Sequence, residues 1–164
     1  MNYKGHVVDQ GYQKSFKLYS LAAEQGDRKA QFNLGVLYRR AQGITQDHGK
    51  ALAWFLAAGE QEYAIAQFTL GGIYENGQGV PQDYQNAFKW YTLAAEQNEP
   101  MAQSNLGHLY ANEQTGKLDY VQAHKWFNIS GAKEKENIEK LMSPNQIIEA
   151  QKLAREWINE HKKH

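Results

Sequence analysis

The amino-acid types that enzymes use for catalysis are present in this sequence, but they form none of the familiar catalytic motifs. There is no H-E-x-x-H zinc pattern, no G-x-S-x-G nucleophile elbow and no G-x-x-x-x-G-K-[ST] phosphate loop. The absence of cysteine excludes thiolate catalysis, disulfides and cysteine-ligated zinc. The stretch G-Q-G at 77–79 comes directly before Val80 and Pro81, so we interpret it as a turn and not as a phosphate-binding loop.

Glu75 and His108 are the one pair to which an acid–base role can be assigned. A carboxylate and an imidazole that meet in a groove can hydrolyse a bond, for example in fragments of a cell wall. The two residues are far apart in the sequence, and their mutual geometry is not fixed by it. We therefore expect the protein not to be an enzyme, and we keep a hydrolase built on this pair as a remote alternative.

The six histidines are scattered and predict no metal site. They stand at positions 6, 48, 108, 124, 161 and 164. His161 and His164 lie at the C-terminus, where we expect a solvated tail rather than a set of metal ligands. His48 and His124 are expected to pack or to face solvent. The sequence therefore predicts neither a metal nor a cofactor.

Charge and hydropathy argue against two classes of partner. Eighteen Lys and Arg residues balance eighteen Asp and Glu residues, so no net field attracts nucleic acid. No apolar run approaches the roughly 20 residues of a membrane helix, and we expect no membrane insertion. The first ten residues lack the apolar core of a signal peptide. We expect a cytoplasmic protein if Met1 is the native start, and a periplasmic or secreted one if a signal peptide has been removed.

The sequence repeats itself every 36 residues, and this repeat must position any functional side chain. AQFNLGVLY (30–38), AQFTLGGIY (66–74) and AQSNLGHLY (102–110) align without a gap. The same register continues in three sets of residues: Asp47, Asp83 and Asp119; Ala51, Ala87 and Ala123; Trp54, Trp90 and Trp126. Each unit carries two apolar patterns with helical spacing, separated by a polar turn such as NGQGVPQD (76–83). The repeating unit is therefore predicted to be a helix–turn–helix.

Several recurring residues are interpreted as packing devices. Gly35, Gly71 and Gly107 lie in the middle of the first helix, where glycine costs about 1 kcal/mol relative to alanine. We infer that two helices approach each other there too closely for a β-carbon. The recurring Trp and Tyr residues are interpreted as core residues, because side chains at equivalent positions of a repeat are expected to have the same role, which is most simply packing between helices.

The two ends of the chain differ from the central units. The stretch from Tyr12 to Gln25 matches the second half of a unit, so an uncovered helix face from Tyr12 to Leu21 can pair with a second copy of the chain as a homodimer. Near the other end, Ser143, Pro144 and Gln146 form the signature of a capping box at a helix start. We predict that this last helix covers the final unit.

The run A-x-x-x-L-G-x-x-Y, a turn with G-x-G-V and the run D-Y-x-x-A-x-x-W-Y-x-x-A-A-E-Q resemble the Sel-1-like repeat, a relative of the tetratricopeptide repeat. The resemblance covers residues 5 to about 132. Unit one departs from it with His48 in place of tyrosine, and unit three with NEQTGKLD (112–119) in place of the turn. The resemblance implies an all-α fold, a right-handed α-solenoid of helix–turn–helix repeats with a C-terminal capping helix. We divide one domain, 1–164, into a partial repeat (1–26), three repeats (27–63, 64–99 and 100–132) and cap helices (133–164).

Helical geometry separates candidate binding positions from the core positions of the first helices. Positions two before and two after Leu34 and its equivalents lie about 200° from these leucines, and further candidates follow one turn later. Similarity to tetratricopeptide proteins implies that this face is the concave one. The candidates are Phe32, Val36, Arg39, Arg40, Phe68, Gly72, Glu75, Asn76, Ser104, His108 and Asn112. Phe32, Val36 and Phe68 have packing against the next unit as the alternative. Arg39 and Arg40 can hold an acidic side chain or a C-terminal carboxylate.

The resemblance implies a non-enzymatic scaffold or adaptor that binds a protein or peptide in its concave groove, in a bacterial or eukaryotic complex. The alternative that the resemblance implies is an immunity or inhibitor protein that neutralises one bacterial toxin or enzyme. The sequence does not name the partner.

Overall fold

The computed structural model describes residues 3–42 and 44–162, and within these residues the secondary structure is helical, with no strand. The helices are α1 (Tyr3–Glu24), α2 (Arg28–Arg40), α3 (His48–Glu60), α4 (Ala64–Asn76), α5 (Tyr84–Glu96), α6 (Pro100–Ala111), α7 (Tyr120–Ser130), α8 (Lys135–Glu139) and α9 (Pro144–His161), with a 3₁₀ turn at Glu113–Thr115. The predicted all-α class and its repeated helix pairs are confirmed. In the part of the chain described here, no helix is both long and apolar enough to cross a membrane.

The chain forms two compact units, which meet in sequence between Gln82 and Asp83. In the first unit, α1 packs on α2, α2 on α3, and α3 on α4. In the second unit, α5 packs on α6, α6 on α7, and α7 on both α8 and α9. The division into one domain with the repeat boundaries given above stays a prediction.

Aspartates start the second helix of each repeat, at the positions that recur in the sequence. The side-chain carboxylates of Asp47, Asp83 and Asp119 accept hydrogen bonds from backbone N–H groups three residues further on, at 2.9, 3.0 and 3.0 Å. This N-cap satisfies a backbone donor that the first helical turn leaves unpaired. The recurring aspartate therefore fixes where each second helix begins.

The mid-helix glycines lie where the two helices of a repeat approach most closely. A β-carbon on Gly35 would lie 2.8 Å from the Phe55 ring, and one on Gly107 would lie 2.7 Å from the Phe127 ring. Both distances are too short for two carbon atoms. The predicted close approach is confirmed for these two repeats, and the neighbour is an aromatic ring of the second helix.

Three buried glutamines tie each first helix to the helix before it. Gln31, Gln67 and Gln103 are buried, and their Nε2 atoms donate to the carbonyl oxygens of Ala23, Gly59 and Ala95 at 3.2, 2.9 and 3.2 Å. The carbonyls lie at helix C-termini, where they lack a partner within their own helix. These glutamines were not singled out in the sequence, although they recur every 36 residues within an apolar pattern.

Helix α1 is longer than the second helix that the repeat predicts. It runs from Tyr3 to Glu24, through the positions that correspond to the turn before α5. In the α5 repeat, Pro81 and the N-cap Asp83 separate turn from helix, whereas the equivalent residues here are Asp9 and Gly11. Neither a proline nor an N-cap aspartate interrupts the chain, so the helix continues.

Helix α9 begins and packs as its sequence predicts. The Ser143 hydroxyl accepts from the Gln146 backbone N–H, and the Gln146 side chain accepts from the Ser143 N–H. Ala150, Ala154 and Trp157 of its apolar stripe are buried, and the helix packs against α7. It therefore covers the last repeat within the second unit.

The connection from a second helix to the next first helix contains a left-handed residue in the same register each time. Gly26, Glu62 and Asn98 have φ angles of 90°, 58° and 62°. An L-residue such as glutamate is strained in this conformation, whereas glycine adopts it freely. The connection at Glu62 is therefore strained, whereas the preceding connection, at Gly26, is not.

Candidate functional site: a pocket beside Arg39

The predicted binding positions are distributed over both units. Phe32, Val36, Arg39 and Arg40 lie on α2, and Phe68, Gly72, Glu75 and Asn76 lie on α4, all in the first unit. Ser104 and His108 lie on α6 and Asn112 is its C-cap, all in the second unit. Arg40, Asn76 and His108 are exposed, and the other eight positions are partly or fully covered. Their role as a common binding face stays a prediction.

Phe32 packs within the first unit. Its ring centroid lies 5.5 Å from that of Phe55 on α3 and 5.6 Å from that of Tyr63, which directly precedes α4. Edge-on and tilted contacts of this length are favourable between aromatic rings. Phe32 thus joins α2 to the helix pair that follows it.

Arg39 is a half-buried cation in the last turn of α2. Its guanidinium carbon lies 5.3 Å from the centre of the Phe55 ring. Burial lowers the pKa of Arg39, and the charge of Arg40 lowers it further. Among the described side chains, which are those of residues 11–42 and 44–162, no carboxylate forms an ion pair with Arg39. A partly desolvated positive charge next to a second positive charge favours the approach of an anion.

Local hydrogen bonds hold Arg39 close to the start of α3. The Asp47 N–H donates to the Tyr38 carbonyl at 3.1 Å, and the Gln46 side chain donates to the Arg39 carbonyl at 2.7 Å. Asp47 then caps α3, which makes His48 the first residue of that helix. The chain reversal therefore brings the end of α2 and the beginning of α3 to one place.

A cavity of about 270 Å³ opens at this place, and we name it the Arg39 pocket. Its lining comes from α2, α3, α4 and the turn after α4. The apolar lining consists of Ala51, Leu52, Phe55 and Ile73, and the rest of the lining is Arg39, His48, Gln78 and Gly79. The pocket thus combines an apolar wall with one cationic group, within the first unit.

Two lining residues of this pocket are smaller than their counterparts in other repeats. His48 stands where positions 12, 84 and 120 carry tyrosine, and Leu52 stands where positions 16 and 88 carry phenylalanine. The turn after α4 packs directly on His48, since a β-carbon on Gly79 would lie 2.8 Å from the His48 Cβ. The sequence shows the departure from tyrosine but predicts for His48 only packing or exposure to solvent, so it does not predict the place of His48 in a pocket.

His108 has partners of its own in the second unit. Its Nε2 lies 3.9 Å from Oε1 of Glu134, and its ring lies edge-on to Phe127 with centroids 4.9 Å apart. Glu75, the other half of the acid–base pair considered above, belongs to the first unit.

His161 and His124 are both tied to carboxylates. The Nε2 of His161 lies 3.0 Å from Oε2 of Glu96, which also accepts a hydrogen bond from the Trp157 indole at 3.1 Å. His124 is buried, and its Nε2 lies 2.7 Å from Oε1 of Glu139. Within the described residues, no three His, Asp or Glu side chains cluster as metal ligands, and His164 lies outside those residues.

Exposed leucines lie on α1. Leu18 and Leu21 are 60% and 59% exposed, whereas Phe16 and Tyr19 pack against the cluster of Ala23, Ala30 and Leu34. Whether a second copy of the chain covers this face stays a prediction.

The helix pairs, their glycines and their aspartate caps recur with the 36-residue period of the sequence. The same period is found in a known repeat family. The family model of the Sel1 repeat matches residues 1–27, 28–63, 64–99 and 100–133. The chain belongs to the Sel1 repeat family. Proteins with Sel1 repeats are generally protein-interaction scaffolds, and their fold is typically non-enzymatic.

Solved Sel1-repeat structures from bacteria resemble the chain. A protective antigen present in uropathogenic Escherichia coli strains, described as displaying an SLR fold, is 34% identical over 96% of this chain, with a TM-score of 0.81. A Sel1 repeat protein from Oxalobacter formigenes is 27% identical over 86% of this chain, with a TM-score of 0.67. This chain spans 37% of the first protein and 61% of the second. No curated protein matches the sequence significantly.

Proposed function

We propose that this Sel1-repeat protein is a non-enzymatic scaffold that binds a protein or peptide partner on the face formed by its first helices. The observation that supports this proposal most directly is the Arg39 pocket. Arg39 is half-buried, and none of the described carboxylate side chains forms an ion pair with it, so its charge can attract an incoming acidic group. Family membership supplies the general role, since Sel1 repeats typically mediate protein interactions.

The distribution of side chains along the first helices supports the same face. Arg40 and Asn76 are exposed at the ends of α2 and α4, in the unit that also contains the pocket. The neighbouring position varies between repeats, with Arg39, Glu75 and Ala111 in one register, whereas the glycines, leucines and glutamines that hold the helices together recur. Variable polar residues on a constant framework are typical of repeat proteins that bind specific partners.

Site-directed photo-cross-linking tests the proposal. A benzophenone amino acid is placed at Asn76 on α4, and in a matched variant at Ala53, which is exposed on the second helix α3. In a lysate of the native organism, we expect a protein to be cross-linked at position 76 and much less at position 53. Excess unlabelled protein should compete with the cross-link, and the variant Arg39→Ala/Arg40→Ala should compete poorly. Equal labelling at both positions, or equal competition by the variant, would contradict a first-helix binding face.

A further inference from the structure

The Arg39 pocket carries information about the chemistry of its ligand. Its cationic side is Arg39, whose guanidinium lies over the Phe55 ring and has no carboxylate partner among the described side chains. Such a group pairs most strongly with a carboxylate, which it can bind through two parallel hydrogen bonds. The first requirement on the ligand is therefore one carboxylate.

The rest of the lining sets a second requirement. Ala51, Leu52, Phe55 and Ile73 present an apolar wall next to Arg39. Ala51, Phe55 and Ile73 are already buried, and Leu52 is the half-buried member of this wall. A phosphate or the short side chain of aspartate would leave Leu52 in contact with water, and an apolar group would remove it from water. The ligand therefore joins its carboxylate to an apolar group.

The size of the cavity sets a third requirement. Its volume of about 270 Å³ lies just below the range of roughly 300–1,000 Å³ typical of sites for small molecules. The cavity is therefore suited to a single amino-acid residue rather than to a folded element or a large cofactor. Gln78, which also lines the pocket, provides a side-chain amide that can bind the peptide group of such a residue.

We infer that the Arg39 pocket binds the C-terminal residue of a partner polypeptide, with the α-carboxylate on Arg39 and an apolar side chain against Leu52. This inference rests on the proposed scaffold function and specifies the part of the partner that is recognised. A C-terminal residue meets all three requirements, since its carboxylate and its side chain are attached to the same carbon atom. His48 contributes by being smaller than the tyrosine found at equivalent positions.

The inference is tested with a minimal probe, N-acetyl-L-leucine, which carries a peptide group, an apolar side chain and a free carboxylate. Binding is followed by NMR through the methyl signals of Leu52 and Ile73 in the full chain. We expect saturable shifts with this probe. N-acetyl-L-leucinamide, which lacks the charge, and N-acetylglycine, which lacks the apolar side chain, should each bind about tenfold more weakly or worse. Equal binding of either compound, or no saturable shift with N-acetyl-L-leucine, would overturn the inference.

A third compound separates a peptide C-terminus from a free small acid. 4-Methylpentanoate keeps the apolar group and the carboxylate but has no peptide group. We expect it to bind more weakly than N-acetyl-L-leucine. If 4-methylpentanoate binds as well or better, the site recognises a free apolar acid, and the inference of a peptide's C-terminal residue is wrong.

Matched variants test which residues of the protein take part. Arg39→Gln should abolish saturable binding, whereas Arg40→Gln, at the exposed neighbour, should change the affinity by less than about threefold. His48→Tyr should also abolish binding, because it restores the larger side chain of the other repeats. Equal effects at positions 39 and 40 would overturn the inference, and circular dichroism confirms that each variant is folded. If His48→Tyr does not fold, the two arginine variants decide alone.

The inference and the proposed function fail in different ways. If the probe does not bind but position 76 still cross-links a partner specifically, the pocket inference is wrong and the scaffold function stands. If the probe binds but positions 76 and 53 are labelled equally, the pocket is real and the first-helix face is not the partner's binding surface.

Discussion

Helices α1 and α3 occupy the same register of the repeat, but they begin differently and meet the following turn differently. Helix α3 begins at His48 after the Asp47 cap, and His48 lines the Arg39 pocket together with Gln78. Helix α1 begins far upstream of Tyr12, the residue that corresponds to His48. The Tyr12 hydroxyl accepts a hydrogen bond at 3.2 Å from Gln42, which corresponds to Gln78.

This comparison shows how a repeat protein acquires a site without changing its framework. At Tyr12, the side-chain hydroxyl bridges to the turn of the next repeat. At His48, a cavity lies beside the half-buried Arg39. Both places share the same helix packing, so the difference depends on side chains at the edge of the helix pair.

The largest effect is expected from removing the ring beneath the pocket. Phe55 is fully buried, and its equivalent on α1 is the half-buried Tyr19. Phe55→Ala should lower the free energy of unfolding by about 3–5 kcal/mol, because it leaves a cavity that the helices cannot close. Tyr19→Ala should cost clearly less. Urea unfolding followed by circular dichroism measures both, and equal losses would contradict the different burial of the two rings.

The second largest change in the free energy of unfolding is expected at a glycine within a helix, and a second helical glycine serves for comparison. A β-carbon on Gly35 would press on the Phe55 ring at 2.8 Å, whereas one on Gly11 in α1 has no neighbour within 4 Å. Gly35→Ala should lower the free energy of unfolding by about 1–3 kcal/mol through overpacking. Gly11→Ala should raise it by about 0.5–1 kcal/mol, since alanine is the better helix former. Chemical denaturation that shows the same sign for both variants would contradict this assignment.

A smaller effect is expected at the residues that distinguish the two helices. Tyr12→Phe removes only the hydroxyl that Gln42 contacts, and it should cost about 0.5–1.5 kcal/mol of stability. His48→Tyr should recover a bond of the same kind to Gln78 and stabilise the first unit by no more than that amount. Thermal unfolding of the two variants checks this, and a destabilised His48→Tyr would show that the pocket cannot accept the larger ring.

The smallest effect concerns the connections that follow the two helices. Glu62, after α3, has a φ of 58°, whereas Gly26 occupies the equivalent place after α1. Glu62→Gly should raise the free energy of unfolding by about 0.5–1 kcal/mol, because the relief of left-handed strain exceeds the added chain entropy. Gly26→Ala should lower it by a similar amount. Opposite shifts in the urea midpoint are therefore expected, and a stabilising Gly26→Ala would contradict them.

The sequence predicts features that repeat better than features that occur once. The helix pairs, the capping aspartates and the close approach at Gly35 and Gly107 follow from the 36-residue register and from helical geometry. The length of α1 is not predicted from the repeat. It depends on positions 9 and 11, which lack the proline and the capping aspartate found at Pro81 and Asp83. The Arg39 pocket could not be predicted either, since it depends on how α2, α3, α4 and the following turn pack around His48 and Leu52.

The buried glutamines have a consequence for how such a chain can grow or shrink. The acceptor of each bond from Gln31, Gln67 and Gln103 is a backbone carbonyl, which every amino acid provides. A whole repeat that is duplicated, deleted or exchanged would find the same acceptor at the same offset of eight residues. The same hydrogen bond can therefore join any two neighbouring repeats, and the number of repeats can change in evolution without a new interface.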